Sequence, residues 1–265
     1  MNVILIGSGN VASHLGKALQ AAGICILQVW SRDAIHAESL ASALDATAIS
    51  NINQVRRDAD IYILSVKDDA LSDMSEALMR ALLAPKSSDT PFKGLVVHTS
   101  GAVGMGLFAG KFEHYGVFYP LQTFSKSKVV DFGHIPLCLE AADTKSFAQL
   151  DGLAHRLSTR VVAVNSDQRQ ILHLAAVFAC NFPNYLYGLA ADLLEKNGLS
   201  FDMLRPLILE TAMKVQDADP QEVQTGPAIR HDEQTLLKHQ TLLKNMPEWA
   251  LLYQLLSDSI KKSKK

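Results

Sequence analysis

The chain opens on an unbroken apolar run, Val3-Ile4-Leu5-Ile6, and short runs of the same kind recur through the first 160 residues. Residues 24–30, 61–66, 95–98, 117–119 and 136–139 read as further strands, and Val161-Val162-Ala163-Val164 as the last of them. Residues 11–22, 34–44 and 70–83 instead space their apolar side chains three and four apart, the period of a helix packed on one face. Strand and helix therefore alternate, which predicts a doubly wound, mostly parallel sheet with helices on both faces. The early strands are apolar almost throughout, as strands covered on both sides require.

Beyond Val164 the texture changes, and nothing further reads as a strand. Residues 167–196 form a long apolar helical pattern that stops at Asn197-Gly198, a suitable C-terminal cap. Residues 202–217, 230–245 and 248–261 follow as more helices. The expected architecture is an α/β Rossmann domain over residues 1–164 followed by an all-α domain over residues 165–265.

Gly7-Ser8-Gly9-Asn10-Val11-Ala12 follows the first strand directly and opens the first helix. It fits G-x-G-x-x-A, a variant of the dinucleotide-binding turn. Gly7 permits the tight turn, Gly9 removes a Cβ that would collide with a pyrophosphate, and Ala12 lets the helix lie close to the strand. The N–H groups of Asn10 and Val11 are then free to meet an anion, aided by the helix dipole.

The end of the second strand selects the nucleotide. A site for NAD usually carries an acid there to bind the ribose, whereas this chain has Ser31-Arg32. A hydroxyl and a guanidinium suit a 2′-phosphate, so NADP is the expected cofactor. Asp33 suits a helix N-cap better than a ribose ligand. The competing reading leaves Arg32 as a solvated loop charge. Two later turns, Ser65-Val66-Lys67-Asp68 and His98-Thr99-Ser100-Gly101, end strands on the cleft side, and Ser65, Val66, Lys67, His98 and Ser100 are expected to border the cofactor. Asp68 or Asp69 is expected to cap the following helix.

Charge and cysteine content narrow the partners. With 25 Lys and Arg against 27 Asp and Glu, the formal net charge of −2 supplies no basic excess for nucleic acid. Lys261-Lys262-Ser263-Lys264-Lys265 reads as a solvated tail. The three cysteines, Cys25, Cys138 and Cys180, show no metal-ligand spacing and read as small buried hydrophobes in a reducing compartment. The start of the chain reads as a strand rather than a signal peptide, and residues 172–194 are too often interrupted by polar groups to span a membrane. A cytoplasmic protein without a metal is expected.

The order of parts resembles the NADP-binding oxidoreductases in which a Rossmann half precedes a helical half, including 6-phosphogluconate dehydrogenase, ketopantoate reductase and pyrroline-5-carboxylate reductase. More narrowly it looks like a bacterial NADP oxidoreductase group similar to deazaflavin-dependent NADP reductases. The glycine turn, Ser65 to Asp68, His98 to Gly101, Tyr119-Pro120-Leu121-Gln122-Thr123-Phe124, His173, Asn181 and Thr225-Gly226-Pro227-Ala228-Ile229-Arg230-His231-Asp232 carry that resemblance. It covers essentially the whole chain and implies a homodimer formed through the helical half.

His173 and Asn181 stand eight apart, about 12 Å along a helix, and Pro183 should kink that helix by leaving the Ala179 carbonyl without a partner. Two polar residues on a kinked apolar helix suggest a cleft wall. Satisfied core residues are the alternative. Related dehydrogenases place a Lys and an Asn one turn apart, but this chain has His173 and then Val177, so that pair is not reproduced. The functional expectation is hydride transfer between NADPH and a small carbonyl, imine or deazaflavin-like acceptor. His173 would donate the proton, Asn181 would orient the acceptor, and Arg230, at the start of a helix, would clamp an anion. A subunit ion pair between Arg230 and Asp232 is the other reading, and a non-catalytic NADP-binding sensor is the alternative function.

Overall fold

The computed structural model describes residues 1–84, 92–125 and 128–263, so Lys264 and Lys265 of the basic tail lie outside it. The described chain divides into two compact units, Met1–Asn184 and Tyr185–Lys265.

The first unit is built on an eight-stranded sheet: β1 (Asn2–Ile6), β2 (Cys25–Trp30), β3 (Thr47–Ile49), β4 (Ile61–Leu64), β5 (Leu95–His98), β6 (Tyr115–Pro120), β7 (Leu137–Ala141) and β8 (Val161–Ala163). Their order is β3-β2-β1-β4-β5-β6-β7-β8, and only the β6–β7 pairing is antiparallel. A parallel return requires a crossover, usually a helix. The described part of the β6–β7 connection holds only the 3-10 turn Phe132–His134, so the chain comes back antiparallel.

The helices of this unit are α1 (Asn10–Ala21), α2 (Ala34–Ala43), α3 (Asp68–Leu83), α4 (Thr144–Ala154) and α5 (Ser166–Ala176). Strand alternation splits the core into two faces. Val3, Leu5, Ile61, Ile63, Leu95, Val97 and Phe118 pack with Leu15 and Leu19 of α1 and Leu150 and Leu153 of α4. Ile4, Ile6, Tyr62, Leu64 and Val96 pack with Leu71 and Leu78 of α3. Val117 and Tyr119 of β6 join Cys138 of β7 in a third cluster, against which Leu172 of α5 is packed. That parity is what delivers Tyr119 to α5.

The sequence pattern does not reveal β3 or α4. β3 has three residues, too few to establish an alternation, and α4 places its buried residues among several polar ones. Asp33 caps α2 as expected, its carboxylate accepting from the N–H groups of Ile35 and His36. Neither Asp68 nor Asp69 is a cap. Both lie in the first turn of α3 after the N-cap Lys67, where their charges oppose the positive end of the helix dipole. Two of the three cysteines also correct the sequence reading: Cys138 is buried, but Cys25 and Cys180 are exposed.

α5 begins on a capping box formed by Asn165 and Gln168. It runs into a π-helical turn, Val177–Asn181, and then α6 (Phe182–Glu195). The Phe182 N–H returns to Val177 O, five residues back. The disruption expected from Pro183 thus takes the form of a widened turn. The compact units divide inside α6, not at Asn165, because α5 is anchored to β6 and β7 by the contacts described below.

The second unit holds the rest of α6, α7 (Arg205–Asp217), α8 (Glu233–Leu242) and α9 (Pro247–Ser263). Gly198 takes φ +69° after α6, which fits the capping role read from the sequence. α8 starts at Glu233, three residues later than the sequence pattern places it, because Asp232 accepts from the Thr235 N–H and hydroxyl and fixes the cap there. Among the described residues no helix is long and apolar enough to cross a membrane, and no group of His, Cys, Asp or Glu could hold a metal ion.

Candidate active site

The glycine turn joins β1 to α1 at the carboxyl edge of the sheet. Gly7 adopts φ +127°, its N–H donates to Trp30 O at 2.8 Å, and a Cβ here would meet the carbonyl of Ser65. It is the position where only glycine fits. Gly9 is different: nothing lies within 4 Å of where its Cβ would stand. The first turn of α1 has no side-chain cap and no acidic residue. Open space in front of an uncapped helix N-terminus fits a bound anion such as a pyrophosphate. Close packing of α1 rests on Gly16 as well as Ala12, since a Cβ on Gly16 would run into Leu44 and Leu5.

At the end of β2, Ser31 is buried and its hydroxyl accepts from Ser8 at 2.9 Å, so the two serines form one floor beneath the turn. Arg32 is exposed, and among the described residues it has no ion pair or side-chain hydrogen bond. Asp33 is committed to its cap. The edge where a dinucleotide's adenosine ribose binds therefore offers a hydroxyl and a free guanidinium, and its nearest acid is already engaged.

The other predicted cofactor residues fall into two groups. Val66 is half-buried and Lys67 exposed at the head of α3. Ser65 is buried, accepting from the Thr99 hydroxyl at 3.2 Å. His98 and Ser100 sit beneath the surface. His98 is fully buried against Phe108, its Nδ1 accepting from the Ser100 N–H at 3.2 Å. Burial pushes its pKa down to about 3, and the Arg169 charge adds to that, so the ring is neutral. Ser100 Oγ accepts from the N–H groups of Ala102 and Val103. These two residues build the loop from inside, and their side chains are occupied or enclosed.

The side chain of Asn10 is also occupied, donating to Phe124 O at 2.9 Å. His14, one turn on, pairs with Ser125 O at 2.9 Å and stacks on Phe124 with centroids 5.1 Å apart. The loop after β6 is thereby tied to the head of α1.

The same loop forms one wall of a cavity of about 590 Å³, with Tyr119, Leu121, Gln122, Thr123 and Phe124 facing His173, Val177, Cys180 and Asn181. His173 and Asn181 are thus brought to one space, His173 half-buried and Asn181 exposed. Among the described residues no Lys, Arg, Asp or Glu lines the cavity. Tyr119 OH lies 3.1 Å from His173 Nδ1. Burial pushes the Tyr119 pKa up to about 12, so the phenol stays protonated.

α5 is held by a buried ion pair that sequence reasoning missed. Arg169 is completely buried. Its Nη1 meets Glu140 at 2.5 Å, and its Nη2 donates to Val103 O at 2.6 Å and to Ser166 Oγ at 3.3 Å. The Glu140 carboxylate also accepts from the N–H and hydroxyl of Ser166, whose Oγ accepts from the Met105 N–H. His173 is one turn beyond Arg169, so this network sets where the imidazole stands. Glu140, a lone charge among the apolar residues of β7, was the available signal; Arg169 stands among Asp167, Gln168 and Gln170 and gave none.

Arg230 belongs to the second unit. It is exposed, lies in a turn before α8 rather than at a helix start, and makes no ion pair with Asp232 among the described residues.

Open parallel sheet, glycine turn and adjoining cavity define a Rossmann-type α/β protein extended by a helical unit. A Rossmann-like family model matches residues 1–121, and the domain of unknown function DUF2520 matches residues 135–260. A "putative NADP oxidoreductase" of Bacteroides fragilis is 44% identical over 98% of both chains, with a TM-score of 0.90. The chain belongs to that protein's family and carries the Rossmann-like and DUF2520 domains in this order. Two more distant structures share the fold. A pyrroline-5-carboxylate reductase of Coxiella burnetii is 18% identical over 98% of both chains, with a TM-score of 0.57. An imine reductase of Myxococcus stipitatus in complex with NADP+ is 16% identical over 98% of this chain and 92% of its own, with a TM-score of 0.59. No curated protein matches the sequence.

Proposed function

We propose that this protein is an NADP-dependent oxidoreductase acting on a small carbonyl or imine, or on a deazaflavin-like acceptor. The observation that carries the reading is the loop after β6: it is bonded to Asn10 at the glycine turn and lines the cavity of His173 and Asn181. The glycine turn and a mainly apolar cavity with a few polar groups share one wall. The name of the Bacteroides relative supports the same reading.

Ser8, Gly9, the N–H groups of Asn10 and Val11, Ser31 and Arg32 would hold the dinucleotide, with Val66 and Lys67 along its edge. When bound, NADPH supplies the hydride. The chain's own residues do the rest. His173 presents a proton to the oxygen or nitrogen of the acceptor, Asn181 orients that atom, and Leu121, Phe124 and Val177 keep water away. The described residues of the cavity wall carry no charged side chain, which suits a neutral acceptor. Within the helical unit, Arg230 is exposed and makes no ion pair among the described residues, which leaves its guanidinium available to clamp an anion.

The direct test is NADPH fluorescence and absorbance with a panel of carbonyls, imines and oxidised deazaflavin. Oxidation of NADPH by one class, lost in His173→Gln, is expected. Tight binding without oxidation across the panel would identify a binding-only protein instead.

The partner proposed for the helical unit is a second copy of the chain. Leu207, Leu209, Met213, Leu251 and Leu255 are each more than half exposed, at 61%, 63%, 54%, 69% and 63%. So many large apolar side chains in one small unit need a cover. Sedimentation at micromolar concentration should give twice the chain mass; a single-chain mass would refute the dimer.

A further inference from the structure

The Tyr119 and His173 rings meet edge to face, their centroids 6.1 Å apart, and the phenol oxygen lies 3.1 Å from Nδ1. Gly101 closes the pair from the loop after β5. A Cβ there would stand 2.6 Å from His173 Nδ1 and 2.9 Å from Tyr119 Cζ, so only glycine lets both rings approach the loop. Tyr119 itself is 9% exposed and anchored in β6 opposite Cys138. Its position is set by the sheet, and His173 is set by Arg169 one turn earlier.

A phenol has one proton to donate, and among the described residues the only acceptor bonded to this one is Nδ1 of His173. The raised pKa keeps that proton on the oxygen through neutral pH. An imidazole whose Nδ1 accepts must carry its own proton on Nε2, on the far side of the ring from Tyr119 and Gly101.

We propose that Tyr119 is a positioning residue that holds His173 in its Nε2–H tautomer, so that the donor nitrogen is the one turned away from the sheet toward the cavity. The use made of that donor rests on the oxidoreductase reading; the tautomer does not. In this tautomer Nε2–H donates a hydrogen bond to the acceptor atom, and the proton that completes the reduction is drawn from water, so neither the ring nor the phenol changes its own proton. A lysine, which donates without regard to tautomer, needs no such partner, and the described residues of the cavity wall include none.

The test is a long-range nitrogen–proton NMR spectrum of the full chain, with His173→Gln assigning the signal. The wild type should show the proton on Nε2. Tyr119→Phe, which keeps the ring, should shift the population toward an even mixture of tautomers. A proton on Nδ1 in the wild type, or an unchanged tautomer in Tyr119→Phe, overturns the proposal whatever the protein catalyses. If Tyr119→Phe fails to fold, the wild-type spectrum alone still decides. Once an acceptor is known, Tyr119→Phe should lower kcat by roughly 10- to 100-fold with KM little changed. An equal kcat would reject the catalytic use while leaving the tautomer assignment to the spectrum.

Discussion

The side-chain amide of Asn10 donates to the carbonyl of Phe124 at 2.9 Å, across 114 positions of sequence. It joins the residue that opens α1 to the loop that lines the His173 cavity. The free α1 N–H groups and the tied side chain of the same residue thus serve two sites. A ligand bound at the glycine turn would be coupled through this hydrogen bond to the order of the cavity wall.

Asn10→Ala should therefore act mainly on the acceptor. Loss of one hydrogen bond of about 0.5–1.5 kcal/mol corresponds to a KM rise of roughly 2- to 10-fold. The dinucleotide Kd should move less, since the N–H groups at the helix start remain. Steady-state kinetics beside a fluorescence titration checks this, and a larger change in Kd than in KM would place Asn10's side chain on the cofactor instead.

Arg32→Asp should separate the two nicotinamide dinucleotides. Removing a guanidinium from a 2′-phosphate and adding a like charge should weaken NADP by roughly 10- to 100-fold. NAD, which has no phosphate there, should change little. Equal losses for both in calorimetric titrations would remove the reason for choosing NADP.

Glu140→Ala should be strongly destabilising, because it leaves Arg169 charged and completely buried. Breaking one side of a buried pair typically costs about 3–5 kcal/mol. Urea denaturation should show that loss in Glu140→Ala. The double variant Arg169→Met/Glu140→Leu should recover much of it, since both charges are then gone. If the single variant unfolds at the wild-type midpoint, the pair is not what holds α5.

His98 should make stability fall on mild acidification. Its pKa drops from 6.5 to about 3 on folding, chiefly because burial disfavours the charged ring. The unfolded chain takes up a proton below pH 6.5 and the folded chain does not. Stability from this residue is therefore complete above pH 6.5 and lost as pH falls toward 3. The limiting slope is about 1.4 kcal/mol per pH unit. Denaturation midpoints measured from pH 7.5 to 4.5 should show that slope in the wild type and a shallower one in His98→Phe. Parallel slopes in the two proteins would mean that His98 is protonated in the fold.

Much of this molecule was legible in the chain itself. A short apolar run rich in β-branched residues and closed by a glycine turn, such as Val3-Ile4-Leu5-Ile6, reads as a strand covered on both faces, and the G-x-G-x-x-A turn follows from the steric needs of one strand–helix junction. Asp33 announces its helix because a cap needs only its own next few residues. β3 and α4 escaped because their local signals are short or mixed. What tertiary structure alone decided is where side chains distant in sequence meet: Glu140 with Arg169, Asn10 with Phe124, Tyr119 with His173. Such pairs depend on strand order and on which face of β6 a helix covers, and no local period encodes either. It also decided that His98, polar and at a strand end, is sealed beneath the loop. Sequence shows that a residue can do chemistry, but only packing determines whether it is free to do so.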